Sequence, residues 1–262
     1  MYKVSVAHYL NKQLKPTAIK EDGTKCFPVY IRVLYRQELN RICSEIVRDN
    51  QFCSEAEFNN PKTRLEIEYE AELIQAFFEY AVGIEEEFKI STSCTKLRDF
   101  LNWFNYGMCM HYEPLSRTER DNEINKIIKY LADKSGQTTT LLNNIINTSV
   151  QAVDFFYKED LSEFEQMGIL DKSTLDKLRF YYLLEDYEKK YFGSGNSWGA
   201  NQNFNLLEWT KRGGKNKFIF FAKKSRVLSS DDILHYIAEL EGQIRFDFDT
   251  MANVWTRGVS GR

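Results

Sequence analysis

The spacing of apolar residues changes twice along this 262-residue chain, and those changes limit the folds that it can adopt. Apolar side chains recur at every second position near the N-terminus, at helical spacing from about residue 55, and at every second position again after about residue 204. A period of two is typical of half-buried strands, and a period near 3.6 is typical of amphipathic helices. The sequence therefore predicts an α+β fold.

The N-terminal part of that fold is predicted to be a small antiparallel sheet. Alternating apolar residues mark three strands, at about residues 4–10, 27–34 and 42–46. Glu21-Asp22-Gly23 supplies a turn signal between the first two strands. One face of the sheet is expected to be apolar, and the other is expected to carry Arg32 and Arg36.

The middle of the chain is predicted to be a helical bundle. Asn60 before Pro61 is a favourable helix start, and Ser116 with Glu119 forms a capping box. The apolar stripes predict helices at about residues 60–82, 97–108, 116–131, 139–157, 162–167 and 173–191. The Gly-rich, polar residues 193–203 then predict a linker.

The C-terminal part is predicted to be a β-hairpin–helix–strand unit that could be winged-helix-like. Gly213-Gly214 is a two-residue turn signal that would place Trp209 opposite Phe218. Ser229 and Ser230 would cap a helix, and alternation at 244–248 predicts a last strand. The expected domains are therefore residues 1–54, 55–192 and 204–250, followed by a tail at 251–262.

Charge is polarised along the chain, although the formal net charge is only −3. Residues 1–50 and the segment from Lys211 to Arg226 are basic, whereas residues 51–200 are acidic. Basic ends indicate an anionic partner, and nucleic acid is the first candidate. A protein or another anionic partner, and a hairpin that is merely solvated by its lysines, remain alternatives. The C-terminal candidate contacts are Lys211, Arg212, Lys215, Lys217, Lys223, Lys224 and Arg226.

The front of the chain adds a resemblance, carried by KVSVAHYLNKQLKP, EDGTKCFPVYIRVLYRQELNRI and FCSEAEFNNPK. Residues 1–60 resemble the arm-type DNA-binding domain of tyrosine recombinases (integrases) from Bacteroidetes and their mobile elements. That resemblance implies a three-stranded sheet that enters a DNA groove. Carried over by position, the implied DNA contacts are Lys12, Lys15, Lys25, Arg32, Arg36 and Arg41.

Catalytic and metal motifs are absent from the sequence. A tyrosine recombinase needs a His-x-x-Arg, but Pro114 follows His111 by three residues and Ala238 follows His235 by three. The five cysteines form no C-x-x-C pair, so we expect reduced thiols and no metal or other cofactor. No signal peptide and no apolar run of membrane-spanning length are present, which favours a cytoplasmic protein without a membrane partner.

These observations predict a non-catalytic protein that binds duplex DNA, such as a regulator or recombination accessory of a mobile genetic element or phage. The alternative is a structural or assembly protein of a virion, whose basic ends contact DNA, other proteins or further copies of the chain. The third hypothesis is an enzyme whose active site is not recognisable from the sequence.

Overall fold

A computed structural model of the chain describes residues 4–16, 18–35, 38–44, 53–84, 94–136, 158, 161–193 and 203–257. It confirms the α+β class, because two small antiparallel sheets accompany a set of helices. The residues divide into two compact units. The sheet unit comprises Met1–Gly107, Tyr191–Lys215 and Asp247–Arg262, and the helical unit comprises Met108–Lys190 and Asn216–Phe246.

The main sheet of the sheet unit has three antiparallel strands, β1 (Ser5–Leu10), β4 (Val29–Tyr35) and β5 (Glu38–Cys43), with β4 in the centre. A second hairpin pairs β2 (Ala18–Ile19) with β3 (Lys25–Cys26). Its turn is the predicted Asp-Gly signal, since Asp22 Oδ1 accepts a 2.9 Å hydrogen bond from Thr24 N and Gly23 has a positive φ of 84°. The third strand ends at Cys43, and residues 45–46 of the prediction lie outside the described residues.

Alternation along β4 places one face of the sheet in the core, as predicted. Val29, Ile31, Val33 and Tyr35 are buried, and Arg32 between them is exposed. The Tyr35 ring lies 5.1 Å from the ring of Phe78, which belongs to helix α2 (Pro61–Ile84). The sheet therefore packs its inner face on α2.

Helices complete the sheet unit. Helix α1 (Glu55–Phe58) precedes α2, and α3 (Cys94–Phe104) follows it. Asn60 caps α2 as predicted, because its Oδ1 accepts a 2.9 Å hydrogen bond from Lys62 N. The Phe77 ring lies 5.1 Å from that of Phe100 and 5.8 Å from that of Phe104, so α2 and α3 share an aromatic core.

The helical unit begins with a 3-10 helix at Met108–His111. Helices α4 (Arg117–Ser135), α5 (Leu161–Gln166) and α6 (Lys172–Phe192) follow, close to their predicted bounds. The capping box of Ser116 and Glu119 is present at the start of α4. The helix predicted at residues 139–157 lies outside the described residues.

The predicted C-terminal hairpin is wrong. Residues 206–225 form two helices, α7 (Leu206–Thr210) and α8 (Gly214–Ser225), joined by a short turn. Asn205 caps α7 by accepting a 3.1 Å hydrogen bond from Glu208 N. An asparagine at this position is a helix-start signal, but the alternating apolar residues favoured a strand. Short apolar runs fit strand and helix periods equally well, and here packing favours the helix.

The two glycines of that turn have different roles, and neither closes a hairpin. Gly213 lies in the turn after α7 and has a positive φ of 70°, which favours glycine. Gly214 begins α8, where a Cβ would lie 2.7 Å from the carbonyl oxygen of Glu208. Gly214 is therefore required for close backbone approach.

The predicted last strand is also wrong, because helix α9 runs without a break from Ser230 to Arg257. Ile244 and Phe248 are buried four residues apart on one side of α9, while Phe246 is 70% exposed. Ile244, Phe246 and Phe248 therefore alternate with polar residues as in a strand, although they belong to a helix. Residues 251–257 of the predicted tail belong to α9, and no hairpin remains in this region to act as a wing.

Candidate nucleic-acid interface

The outer face of the main sheet brings together two predicted contact residues. Strand register pairs Arg32 of β4 directly with Arg41 of β5, and both side chains are exposed. Like charges on facing positions of a sheet repel each other and destabilise it. Strand pairing thus places two cations side by side on the outer face.

Aromatic and apolar side chains surround the arginine pair. The Arg32 guanidinium carbon lies 5.3 Å from the centroid of the Tyr9 ring, and the Tyr9 and Tyr30 centroids are 6.1 Å apart. Leu34 and Leu39 face each other beyond the arginines, and both are exposed. By register, the described outer-face positions carry no acidic residue; we call this set the sheet surface: Ser5, Ala7, Tyr9, Tyr30, Arg32, Leu34, Leu39, Arg41 and Cys43.

A buried polar cluster on the opposite side holds the sheet on α2. His8 Nε2 lies 2.8 Å from Glu70 Oε2, and Ser44 Oγ donates a 2.6 Å hydrogen bond to the same oxygen. The His8 side chain is 2% exposed and that of Glu70 is 6% exposed. Each contact joins a strand or the end of a strand to one carboxylate, so the cluster fixes which face of the sheet is left open. Sequence analysis missed it, although position 8 falls on the inward side of β1.

The remaining N-terminal candidates differ in their surroundings. Lys12 forms a 2.9 Å ion pair with Glu55, whereas no ion pair joins Lys15 or Lys25 to another residue within the described ranges. Both of these lysines are exposed. Arg36 lies outside the described residues.

Two of the C-terminal candidates stabilise the sheet unit. Lys211 pairs with Glu79 of α2. Arg212 pairs with Glu72 of α2 and, at 2.7 Å, with Glu208 of α7. The hydrogen bonds that Arg212 donates to Glu72 are the main cause that raises the pKa of Arg212 above its usual range. These cations therefore tie the turn after α7 to α2, through acids that lie 130–140 residues away in sequence and cannot be recognised from spacing.

A buried hydrogen-bond network lies beside this ion-pair cluster. Asn205 Nδ2 donates to the Tyr69 hydroxyl at 2.7 Å and to Asn105 Oδ1 at 2.7 Å, and the Tyr69 hydroxyl donates to Asn105 Oδ1 at 3.0 Å. The Arg212 guanidinium lies 5.7 Å from the centroid of the Tyr69 ring. A buried network with its partners in place specifies one arrangement of α2, α3 and α7. We assign it a structural role.

The other C-terminal candidates lie on α8 or just after it. Lys215 is half-buried, and Lys217, Lys223, Lys224 and Arg226 are exposed. Within the described part of the chain, no ion pair engages these four exposed cations. The helix buries Phe218 and Ala222 on its other side, so its cationic residues point to solvent.

Among the described residues, no group of three or more His, Cys, Asp or Glu side chains is placed to hold a metal ion. No helix in the described ranges combines the length and apolar character needed to cross a bilayer. Comparison with known proteins adds no assignment: no protein-family model, no curated protein and no solved structure matches the chain.

Proposed function

We propose that this chain is a non-catalytic DNA-binding protein that contacts duplex DNA through the sheet surface. The observation that carries the proposal is the pair of exposed arginines, Arg32 and Arg41, held opposite each other on neighbouring strands. Two cations side by side on one face attract anionic groups to it. A DNA phosphate or the acceptor edge of a guanine is an anionic or electron-rich group of suitable size.

The shape of the sheet supports a duplex ligand. Strands of antiparallel sheets can enter a groove of B-DNA, and in the major groove arginine can bind guanine O6 and N7 with two hydrogen bonds. Arg32 lies on the central strand and Arg41 on an edge strand, so both guanidinium groups can reach one stretch of groove. The exposed Leu34 and Leu39 provide apolar contacts of the kind that thymine methyl groups accept.

The biological setting that we propose is a mobile genetic element or phage, with the chain as a regulator or recombination accessory. Support comes from the resemblance of residues 1–60 to the arm domains of tyrosine recombinases and from the lack of a His-x-x-Arg motif. A virion assembly role would instead give a stable high-order assembly without affinity for free DNA.

The test is a titration of labelled duplex DNA with the full chain at several salt concentrations between about 50 and 200 mM. Replacing both Arg32 and Arg41 with Ala removes two phosphate contacts, so the log–log slope of affinity against salt should become about 2 units less steep. Loss of discrimination between sequences in the same variant would show base contacts.

The matched control replaces Arg117 and Arg245, two exposed arginines of the helical unit, with Ala. It changes net charge by the same amount, and its salt slope should equal that of the parent. The proposal is wrong if the parent does not bind duplex DNA, or if the two double variants lose affinity equally.

A further inference from the structure

The exposed face of α8 has an aromatic residue at its centre. Phe220 is 72% exposed, whereas Phe218 and Ala222 of the same helix are fully buried. Asn216 lies four residues before Phe220 and Lys217 three before it, while Lys223 and Lys224 follow at three and four residues. Positions three and four apart are neighbours on a helix surface, so these four polar side chains surround the Phe220 ring.

The packing of α8 within the helical unit fixes this orientation. The Phe218 ring lies 5.8 Å from that of Phe180 and 5.6 Å from that of Tyr187, both on α6. Phe221 also lies against Tyr187, at 5.3 Å between ring centroids. Because these contacts hold the apolar side of α8 on α6, Phe220 cannot turn inward without breaking them.

Helix stability accounts for only part of the charge around Phe220. Lys223 and Lys224 occupy the last turn of α8, where cations interact favourably with the helix dipole. Lys217 lies in the first turn, where that interaction is unfavourable, and neither effect accounts for an exposed aromatic ring between the lysines.

We propose that this face of α8 is a second nucleic-acid site, which takes an unpaired base on the Phe220 ring and the adjoining phosphates on Lys217, Lys223 and Lys224. A cationic surface with an accessible aromatic ring is the arrangement by which proteins hold single strands, since every base has a face that can stack. In a duplex the bases are already stacked on one another, so the Phe220 ring gains no partner there. The site therefore prefers single-stranded over double-stranded nucleic acid.

An anionic membrane surface is the other ligand with this chemistry, and the helix fits it less well. Helices that lie on membranes present a broad apolar face to the lipid. On α8 the broad apolar side is buried, and the outward side offers one ring among polar residues. This site goes beyond the proposed function, because it lies on other residues, in the other compact unit, and takes a different form of nucleic acid.

The test measures binding of the full-length chain to labelled oligothymidylate of about 16 nucleotides, to a matching duplex and to phosphatidylserine-containing vesicles. Phe220→Ala should weaken binding to the single strand by about 5- to 150-fold, the range for loss of one base-stacking partner. Phe220→Trp should keep the affinity, because its ring also stacks.

The matched control is Phe246→Ala, since Phe246 is equally exposed, at 70%, on α9 of the same unit. It should bind the single strand as the parent does. The inference is overturned if Phe220→Ala and Phe246→Ala have the same effect, or if the parent binds vesicles and not the oligonucleotide. The Arg32→Ala, Arg41→Ala variant should retain single-strand affinity; if its duplex affinity is also unchanged, the proposed function fails while this site stands.

Discussion

Two adjacent glycines, Gly213 and Gly214, shape the backbone between α7 and α8. Gly213 takes a positive φ in the turn after α7, and Gly214 begins α8. Gly214 faces the carbonyl oxygen of Glu208 across a gap that a Cβ atom cannot occupy. The sequence predicts a hairpin turn at these glycines, whereas the physical role of Gly214 depends on a contact that only the fold reveals.

Replacing Gly214 with Ala should destabilise the protein. The added Cβ would meet the Glu208 carbonyl oxygen at 2.7 Å, and backbone atoms cannot move aside cheaply. We expect a loss of about 1–3 kcal/mol in the free energy of unfolding, measured by denaturant titration. The control is Gly242→Ala in α9, where the structure leaves open space around the new methyl group; it should gain about 0.5–1 kcal/mol, as for glycine to alanine within a helix. Equal effects of the two changes would exclude the close contact at Gly214.

Secondary-structure elements were predictable where a cap or a breaker agreed with the hydrophobic period. Pro61 and the Ser116–Glu119 box start helices where the sequence predicts them, and the inward residues of β4 are those that alternate. The errors fall at 206–225 and 244–248, where short apolar runs fit both periods. Phe218 and Ala222 are both buried, as are Ile244 and Phe248. The members of each pair lie four residues apart, which is the helical spacing that should have been preferred in these segments.

The β2–β3 hairpin and α1 are joined by an ion pair whose strength depends on pH. Glu57 caps α1 with Ser54 and forms a 2.5 Å ion pair with Lys20. The hydrogen bond from Lys20, with those from Ser54, lowers the pKa of Glu57 from 4.5 to about 2. A carboxyl whose pKa is lower in the folded state adds stability above its unfolded pKa and loses that contribution as pH falls toward its folded pKa.

Replacing Glu57 with Gln should therefore destabilise the protein at pH 7 and lose its effect in acid. Gln keeps the reciprocal cap on Ser54 and removes the charge that pairs with Lys20. The difference in unfolding midpoint between parent and variant should shrink as pH falls from about 4.5 to about 2, the interval between the unfolded and folded pKa of Glu57. A difference that stays constant across that interval would show that the ion pair does not contribute.

At the scale of the whole molecule, the polarised charge was a useful but incomplete guide to the candidate site. Lys211 and Arg212 belong to the basic run, yet they pair with acids of α2 and stabilise the sheet unit. Arg32 and Arg41 are separated in sequence and meet only through strand register. Phe220 gave no signal, because strand alternation would have placed it on the same face of the expected hairpin as Phe218. Charge counts therefore found the basic segments, whereas topology decides which cations face solvent.

We propose that DNA covers the sheet surface, and Cys43 reports on that surface directly. Cys43 is exposed on the same face as Arg41, two residues along β5. Among the other described thiols, Cys26 is buried, and burial raises the pKa of Cys53 to about 11 and that of Cys109 to about 12. Thiolates are the reactive form, so iodoacetamide near neutral pH should modify Cys43 before these three.

The decisive measurement is the rate of Cys43 alkylation, followed by peptide mass spectrometry, with and without a saturating amount of duplex DNA. If the sheet surface binds the duplex, the rate at Cys43 should fall severalfold, and the slow rates at Cys53 and Cys109 should not change. If duplex DNA saturates the protein and Cys43 reacts as fast as before, DNA binds elsewhere and the sheet surface is not the interface.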